Sequence, residues 1–359
     1  MKEKMRILII GDKKRFFHLN QFSEQLVKNN FETKIIYDLD FIDKFLEINI
    51  KKKITKKNNF EELLTIFKPN VVLLDRVSKI GKKIIERKIP LIILLRGNYW
   101  EEVSWAKKTI YKSKINRLRV KEDEKNFNYC LENANLILPI STYLEKIVKE
   151  KFPSQKIKIL AADGRKSDDW KNVQGMKLMH PNVGLLQGMN IWGKTRELLT
   201  LKQVMSQLPN VKFYLAGDGI FRDKVIPELE KFENFSWLGD LDYPKQVKEF
   251  LSEIDIFLFL SGLEGLGQSI IEASLMKKPI IASDVGGVGD LIQNGFNGFL
   301  VKEKDGKQIL EIIQKYTNEN KLTKEIAENA YNSVREKFDW RNITTKFLEI
   351  IQEEKLIKN

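Results

Sequence analysis

Residues 254–301 constrain the fold of this chain more than any other stretch, reading IDIFLFLSGLEGLGQSIIEASLMKKPIIASDVGGVGDLIQNGFNGFLV. A strand-sized apolar run, Ile254 to Leu260, ends in a glycine-spaced loop, Gly262-Leu263-Glu264-Gly265-Leu266-Gly267. A helical stretch, Gln268 to Met276, leads through Lys277-Lys278 to a second apolar run, Pro279 to Ala282, and a second glycine turn, Gly286-Gly287. The spacing predicts strand, glycine loop, helix, strand, glycine loop, helix, which places parallel strands side by side with helical crossovers. Two helix N-termini then open at one sheet edge, and such an edge suits a diphosphate. Two carboxylates, Glu264 in the loop and Glu272 in the helix, lie within reach of that edge.

The same alternation runs through the rest of the chain. Met5–Ile10, Lys34–Tyr37, Val71–Leu74, Leu91–Leu95, Asn135–Ile140 and Lys156–Leu160 read as strands with helical stretches between them, and Ser141 reads as a helix N-cap. Residues 161–182 hold Gly164, Gly175 and Pro181 with no sustained period and read as a link. Strands resume at Val183–Leu186, Lys212–Ala216, Phe235–Leu238, Ile254–Leu260 and Ile280–Ala282. Residues 305–337 are amphipathic and helical, and the spacing of Ile343, Phe347, Ile350 and Ile351 marks a last helix. The class is α/β, with two doubly wound parallel sheets, and 359 residues suffice for two cores.

No apolar run approaches the ~20 residues of a membrane-spanning helix. The N-terminus enters a strand pattern without a signal-peptide layout, and Cys130 is the one cysteine, so a cytoplasmic location is expected. Charge divides unevenly. Residues 1–165 carry 36 Lys and Arg against 21 Asp and Glu, whereas 166–359 carry 26 against 28, so the net +13 resides in the first half. Seven basic residues and no acidic one lie from Lys107 to Lys121, with Trp100, Trp105 and Tyr111 nearby. That stretch reads either as a long solvated helix with an apolar stripe or as a face for an anionic membrane. A lysine-rich tract occupies 51–57. With no recognition module in the sequence, nucleic acid is not an expected partner.

The order of motifs resembles the retaining nucleotide-sugar glycosyltransferases of the GT-B fold, glycosyltransferase family four (glycosyl transferases group 1) in particular. Glu264-Gly-Leu-Gly-Gln-Ser-Ile-Ile-Glu272-Ala273 is similar to that family's paired-glutamate motif. Pro279–Ser283, Gly286-Gly287 and Asn294–Leu300 follow in the family's order. Asp163-Gly164 with Trp170, Ala216-Gly217-Asp218-Gly219, Trp237-Leu238-Gly239 and Trp340 add further matches. The likeness is dense from about 134 to 300 and loose before that. It implies two facing Rossmann-like domains: 1–165 on the acceptor side, 166–338 holding the donor, and a C-terminal helix, 339–359, packing back on the first.

The resemblance also implies roles. Lys194 clamps the donor diphosphate, helped by backbone N–H groups of Gly265, Leu266 and Gly267, Glu264 holds hydroxyls of the transferred sugar, and Glu272 takes the two ribose hydroxyls. Gly217, Leu238, Arg96 and Arg165 are further candidate donor-binding residues. The donor is expected to be a UDP-, GDP- or similar nucleotide sugar, with no metal and no cofactor, and the acceptor a glycan or a lipid-linked glycan. Anomeric configuration is expected to be retained, and the protein to lie in the cytoplasm or peripherally on the inner face of the cytoplasmic membrane. Taken singly, Lys194 reads as a solvated surface lysine, and Glu272 as a structural carboxylate favoured by the helix dipole.

The pattern departs from the family in places. Met189 stands where an arginine is usual, leaving Arg165, Lys166 or Arg222 as substitutes. Gly11-Asp12-Lys13-Lys14-Arg15 stands where a glycine-rich loop is usual, and Arg96-Gly97-Asn98 where a histidine is usual. Arg96 reads either as a ligand of the donor or as an interdomain ion-pair residue. His18 reads as a surface or cleft-edge residue and His180 as structural. These departures keep open a non-catalytic nucleotide- or carbohydrate-binding protein on the same fold, or a GT-B-type epimerase.

Overall fold

The computed structural model describes residues 4–41 and 50–357. The first half runs β1 (Arg6–Gly11), α1 (Phe16–Lys28), β2 (Glu32–Tyr37), α2 (Ile50–Phe67), β3 (Val71–Asp75), α3 (Lys79–Glu86), β4 (Leu91–Leu95), α4 (Tyr99–Thr109), α5 (Lys114–Asn133), β5 (Leu136–Pro139) and α6 (Thr142–Lys151). The second half runs β6 (Asn182–Leu186), α7 (Trp192–Thr195), α8 (Leu201–Gln207), β7 (Lys212–Ala216), α9 (Arg222–Leu229), β8 (Phe235–Gly239), α10 (Lys245–Glu253), β9 (Ile256–Phe259), α11 (Gln268–Leu275), β10 (Ile280–Ser283), β11 (Phe299–Val301), α12 (Gly306–Asn318), α13 (Asn320–Val334) and α14 (Trp340–Glu353). Two compact units result: Met1–Arg96, Ile110–Arg165 and Phe338–Asn359 form unit 1, and Gly97–Thr109 and Lys166–Lys337 form unit 2. Both are Rossmann-like, a parallel sheet built from alternating strands and helices.

Unit 1 holds a parallel sheet in the order β2-β1-β3-β4-β5. Its apolar strands are buried on both faces, as continuous hydrophobic runs require. Ile7, Ile9, Val71, Leu73, Ile92 and Leu94 pack with Leu19, Phe22 and Leu26 of α1 and with Trp340, Ile343, Phe347 and Ile351 of α14. Trp340 stacks on Phe22 at 5.2 Å between ring centroids and donates its Nε1–H to Gln21 Oε1 at 3.0 Å. Asp339 caps α14 by accepting the Arg341 N–H, and Ser141 caps α6 by accepting that of Leu144.

Lys156–Leu160, expected as a strand, forms one bridge, Ile157 to Ile137, and no strand. Ile137 exchanges backbone hydrogen bonds with Lys156 and Lys158, and Pro139 accepts the Leu160 N–H at 3.0 Å but has no N–H to return to Lys158, so no second bridge forms. The basic stretch Lys107–Lys121 is not one long helix, the first of its two readings. Ser113 caps a fresh start by accepting the Asn116 N–H, so the stretch divides into α4, part of unit 2, and α5, part of unit 1. In the lysine-rich tract 51–57, which lies in α2, the side chains of 51–54 and 57 are outside the described residues.

Unit 2 holds a parallel sheet in the order β11-β10-β9-β6-β7-β8. Val183, Leu185, Phe213, Leu215, Leu258 and Ile281 form its core with Leu201, Val204 and Met205 of α8 and Ile309 and Ile313 of α12. The three-residue β11 escaped the sequence reading because it is too short to show a period. In the link before β6, the His180 imidazole lies 2.9 Å from both Glu253 and Asp255, and hydrogen bonds to these carboxylates raise its pKa. Among the described residues no helix is long and apolar enough to cross a membrane.

Candidate functional site

The strand order of unit 2 reverses at β6 and β9, which pair directly. Loops leaving two such strands diverge, and the crevice at that switch point is where open α/β sheets bind ligands. The loop after β6 leads into α7, carrying Lys194, and the loop after β9 carries Glu264. Lys194 Nζ lies 3.3 Å from both carboxylate oxygens of Glu264. Glu264 Oε1 also accepts the Gly265 N–H at 3.0 Å. The two side chains are 21% and 17% exposed, so the pair is sheltered yet open to solvent.

Close backbone approach explains two of the glycines. Gly286 has φ +55°, and a Cβ there would overlap the Glu264 carbonyl oxygen, which also accepts the Gly287 N–H at 3.3 Å. The second glycine turn thereby fixes the backbone of the first. Gly217 has φ +125°, and a Cβ there would overlap the Gln187 carbonyl. Its own carbonyl accepts the Trp237 Nε1–H at 2.8 Å, tying the end of β7 to β8. Replacing Gly286 with alanine is expected to displace the Glu264 loop, and any affinity for UDP or GDP measured by calorimetry should weaken by about tenfold or more; unchanged affinity would remove the coupling between the two turns.

Gly267 caps α11 at φ +103°, Leu266 is 1% exposed, and Glu272 lies in the second turn of α11 at 6% exposure. Leu238 is half-buried in β8. The expected second helix N-terminus is absent: Gly286-Gly287 leads only into one 3₁₀ turn, Val288–Asp290. Gly289, Gly295 and Gly298 follow closely, and glycine is a poor helix former. Of the two helix N-termini expected after β9 and β10, only that of α11 forms. Met189 is fully buried in the core of unit 2, so the place of the usual arginine is an apolar seat. Arg222 lies over the Trp237 ring at 5.4 Å and 3.4 Å from Asp218, beside the β7 loop.

Unit 1 has its own switch point, at β1 and β3, and there side chains fill the space. Arg96 donates to Asp75, to Asp163 and, at 2.8 Å, to the Ala162 carbonyl. Arg15 adds contacts of 3.3 Å to Asp75 and 3.0 Å to Asp163. Burial pulls both carboxyl groups toward neutrality, but Arg96 and Arg15 outweigh it and hold them below the usual carboxylate range. His18 corrects the surface reading: it is buried, and burial, with Arg165, Arg15 and Arg96 nearby, pushes its pKa far down and keeps it neutral.

Two readings of arginines change with this cluster. The ion-pair partners of Arg96 belong to its own unit, not to the other one. Arg165 is 0% exposed, its side chain donates to the Asp163 and Gly164 carbonyls, and its backbone pairs with the strand-like stretch at Asp339, so the side chain is withdrawn from solvent. The sequence reading missed Arg15, Asp75 and Asp163 as a group. The available signal was Asp75, a carboxylate ending a strand that is otherwise wholly apolar.

Comparison with known proteins bears on the same region. Residues 195–333 match the family model described as glycosyl transferases group 1. Poly(ribitol-phosphate) alpha-N-acetylglucosaminyltransferase of Staphylococcus aureus is 25% identical over 234 residues, 63% of this chain and 46% of that protein. The chain spans less than two thirds of the length of the curated relatives it matches first. Among solved structures, sucrose-phosphate synthase from Thermosynechococcus elongatus superposes with a TM-score of 0.78 at 15% identity, covering 98% of this chain and 99% of that one. Anabaena HepE, in complex with UDP and glucose, gives 0.68 at 17% identity, covering 97% and 100%. The chain thus has the GT-B fold, and over 195–333 it is similar to the glycosyl transferases group 1 family.

Proposed function

We propose that the protein is a retaining glycosyltransferase that moves a sugar from a nucleotide-diphosphate donor to a glycan or lipid-linked acceptor in surface polysaccharide or glycolipid synthesis. The observation that carries this reading is the Lys194–Glu264 pair at the β6/β9 switch point. A departing nucleotide diphosphate gathers negative charge, and fixed donors near that charge lower the barrier. In this reading Lys194 leaves Glu264 for the diphosphate, and Arg222 is the second cation in place of Met189. Glu264 then turns to sugar hydroxyls, and Glu272 accepts from the ribose. The backbone N–H groups at the start of α11 supply the remaining donors. Metal-independent chemistry follows if these groups alone balance the diphosphate. The filled switch point of unit 1 favours unit 2 as the donor holder.

The relative from Staphylococcus is named for α-linked transfer to a polymer, and HepE was solved with UDP, which supports a nucleotide donor and a glycan acceptor. A panel of UDP- and GDP-sugars tests the proposal through melting temperature and slow donor hydrolysis. A shift with turnover supports it. A shift without turnover points instead to a non-catalytic binder, the reading favoured by buried Met189. No shift with any donor rejects both.

Peripheral membrane association is part of the same proposal. Ile115 and Leu118 are 57% and 68% exposed on α5, among Lys114, Arg117 and Lys121. Trp105, by contrast, is engaged inside unit 2, by Gly193 and Arg196. Co-sedimentation with vesicles containing anionic lipid is expected, and Ile115→Ser with Leu118→Ser should reduce it; binding independent of lipid charge would refute it.

A further inference from the structure

α7, Trp192–Thr195, runs directly into a 3₁₀ segment, Arg196–Thr200, and on into α8, so Lys194 sits in the first turn of one continuous helical stretch. The place of that first turn, and of Lys194, is set by what packs against it. The closest packing is with α4, a helix from the first half of the sequence that belongs to unit 2. A Cβ built on Gly193 would lie 2.5 Å from Nε1 and 2.6 Å from Cδ1 of Trp105. The indole edge therefore rests on the bare backbone of α7, at the residue preceding Lys194.

The contact continues on both sides. Arg196 stacks over the Trp105 ring at 5.1 Å, and Lys108 lies over it at 5.3 Å. Arg196 also reaches Glu303 at 2.8 Å. Beyond α7, a Cβ on Gly262 would lie 2.5 Å from the Gly193 carbonyl oxygen and 3.1 Å from Arg196 Nη2. Trp105, Gly193 and Gly262 thus form one stack, running from α4 through the lysine-bearing turn to the loop that carries Glu264. A side chain at 193 or 262 would push its layers apart.

We propose that Trp105 is a positioning residue of the donor site, seating α7 so that Lys194 meets Glu264 and, in its turn, the donor diphosphate. This rests on the role given to Lys194 above. Because Trp105 is assigned no contact with the donor, its effect passes through Lys194. Trp105→Ala is expected to weaken UDP and GDP binding by about tenfold, the scale of a small misplacement, and Trp105→Phe to restore most of it. In a Lys194→Ala background, Trp105→Ala should cost no further affinity. Gly193→Ala should weaken binding through the clash, and Trp105→Ala with Gly193→Ala should bind better than Gly193→Ala alone.

A readout independent of nucleotide is the rate at which acetic anhydride acylates Lys194, followed by mass spectrometry. It should rise in Trp105→Ala as the pair with Glu264 loosens, and in Gly193→Ala should Trp105→Ala fail to fold. If wild-type protein binds neither UDP nor GDP, the proposed function fails while the acylation rates still decide the role of Trp105. Unchanged acylation in both folded variants, or equal affinity losses with and without Lys194, overturns it.

Discussion

Arg96→Met is expected to destabilise unit 1 by about 3–5 kcal/mol, the cost of removing one partner from a buried ion pair. The guanidinium sends three separate N–H groups to Asp75, Asp163 and the Ala162 carbonyl, and its side chain is 4% exposed beside carboxylates at 0%. Methionine fills similar length without charge and leaves Arg15 to serve both carboxylates. Lysine fails for another reason, since one ammonium cannot reproduce a planar fork aimed at three acceptors. Urea unfolding should show the loss in the transition assigned to unit 1, a large share of a typical ~5–15 kcal/mol stability.

The pH dependence has a definite sign. In the wild type both carboxyl groups sit below their usual range, so their stabilisation is present above the unfolded carboxylate pKa and lost as pH falls through about 4 and below. In Arg96→Met burial dominates and raises them, so acidification relieves the variant. The deficit should therefore shrink as pH falls from 7 toward 4. A deficit under about 1 kcal/mol at pH 7 would mean that the cluster relaxes or hydrates and does not carry unit 1.

Much of this molecule was legible because its strands are apolar runs bounded by punctuation. Ile7–Ile10, Val71–Leu74 and Leu91–Leu95 needed no periodicity to be read, since both faces are buried. Failures came where a local rule met a tertiary one. Pro139 has no N–H to return to Lys158, so Lys156–Leu160 formed one bridge and no strand, and Ser113 restarted a helix inside a stretch read from its basic residues and aromatics. Glycines crowded after Gly286 turned an expected helix into one 3₁₀ turn. At the candidate site, the glycine spacing brought out Glu264 and the family resemblance Lys194, as separate residues, but neither showed that the sheet's reversal sets them 3.3 Å apart. Arg96 and Arg165 were candidate donor ligands through the family resemblance, with an ion-pair reading open for Arg96, and both are buried among oxygens.

Lys194→Ala and Glu264→Ala are each expected to cut turnover by about 10²–10³, the scale seen when a fixed donor is removed from developing charge. Melting temperature should move little, since an ion pair this close to solvent contributes only about 1 kcal/mol or less. These two results together still leave a structural pair as a competing account, in which loss of either partner loosens the β9 loop. Exchanging the residues separates the accounts. Lys194→Glu combined with Glu264→Lys keeps opposite charges on the two positions, so a merely structural pair would survive and activity would return. Under the proposed mechanism the positions are unequal. Position 194 meets the diphosphate, where a carboxylate repels, and position 264 meets sugar hydroxyls and the Gly265 N–H, where an ammonium cannot accept. The exchanged variant should melt near the wild type and be as inactive as either single alanine variant. Recovery of turnover in it would remove Lys194 from the diphosphate and Glu264 from the sugar.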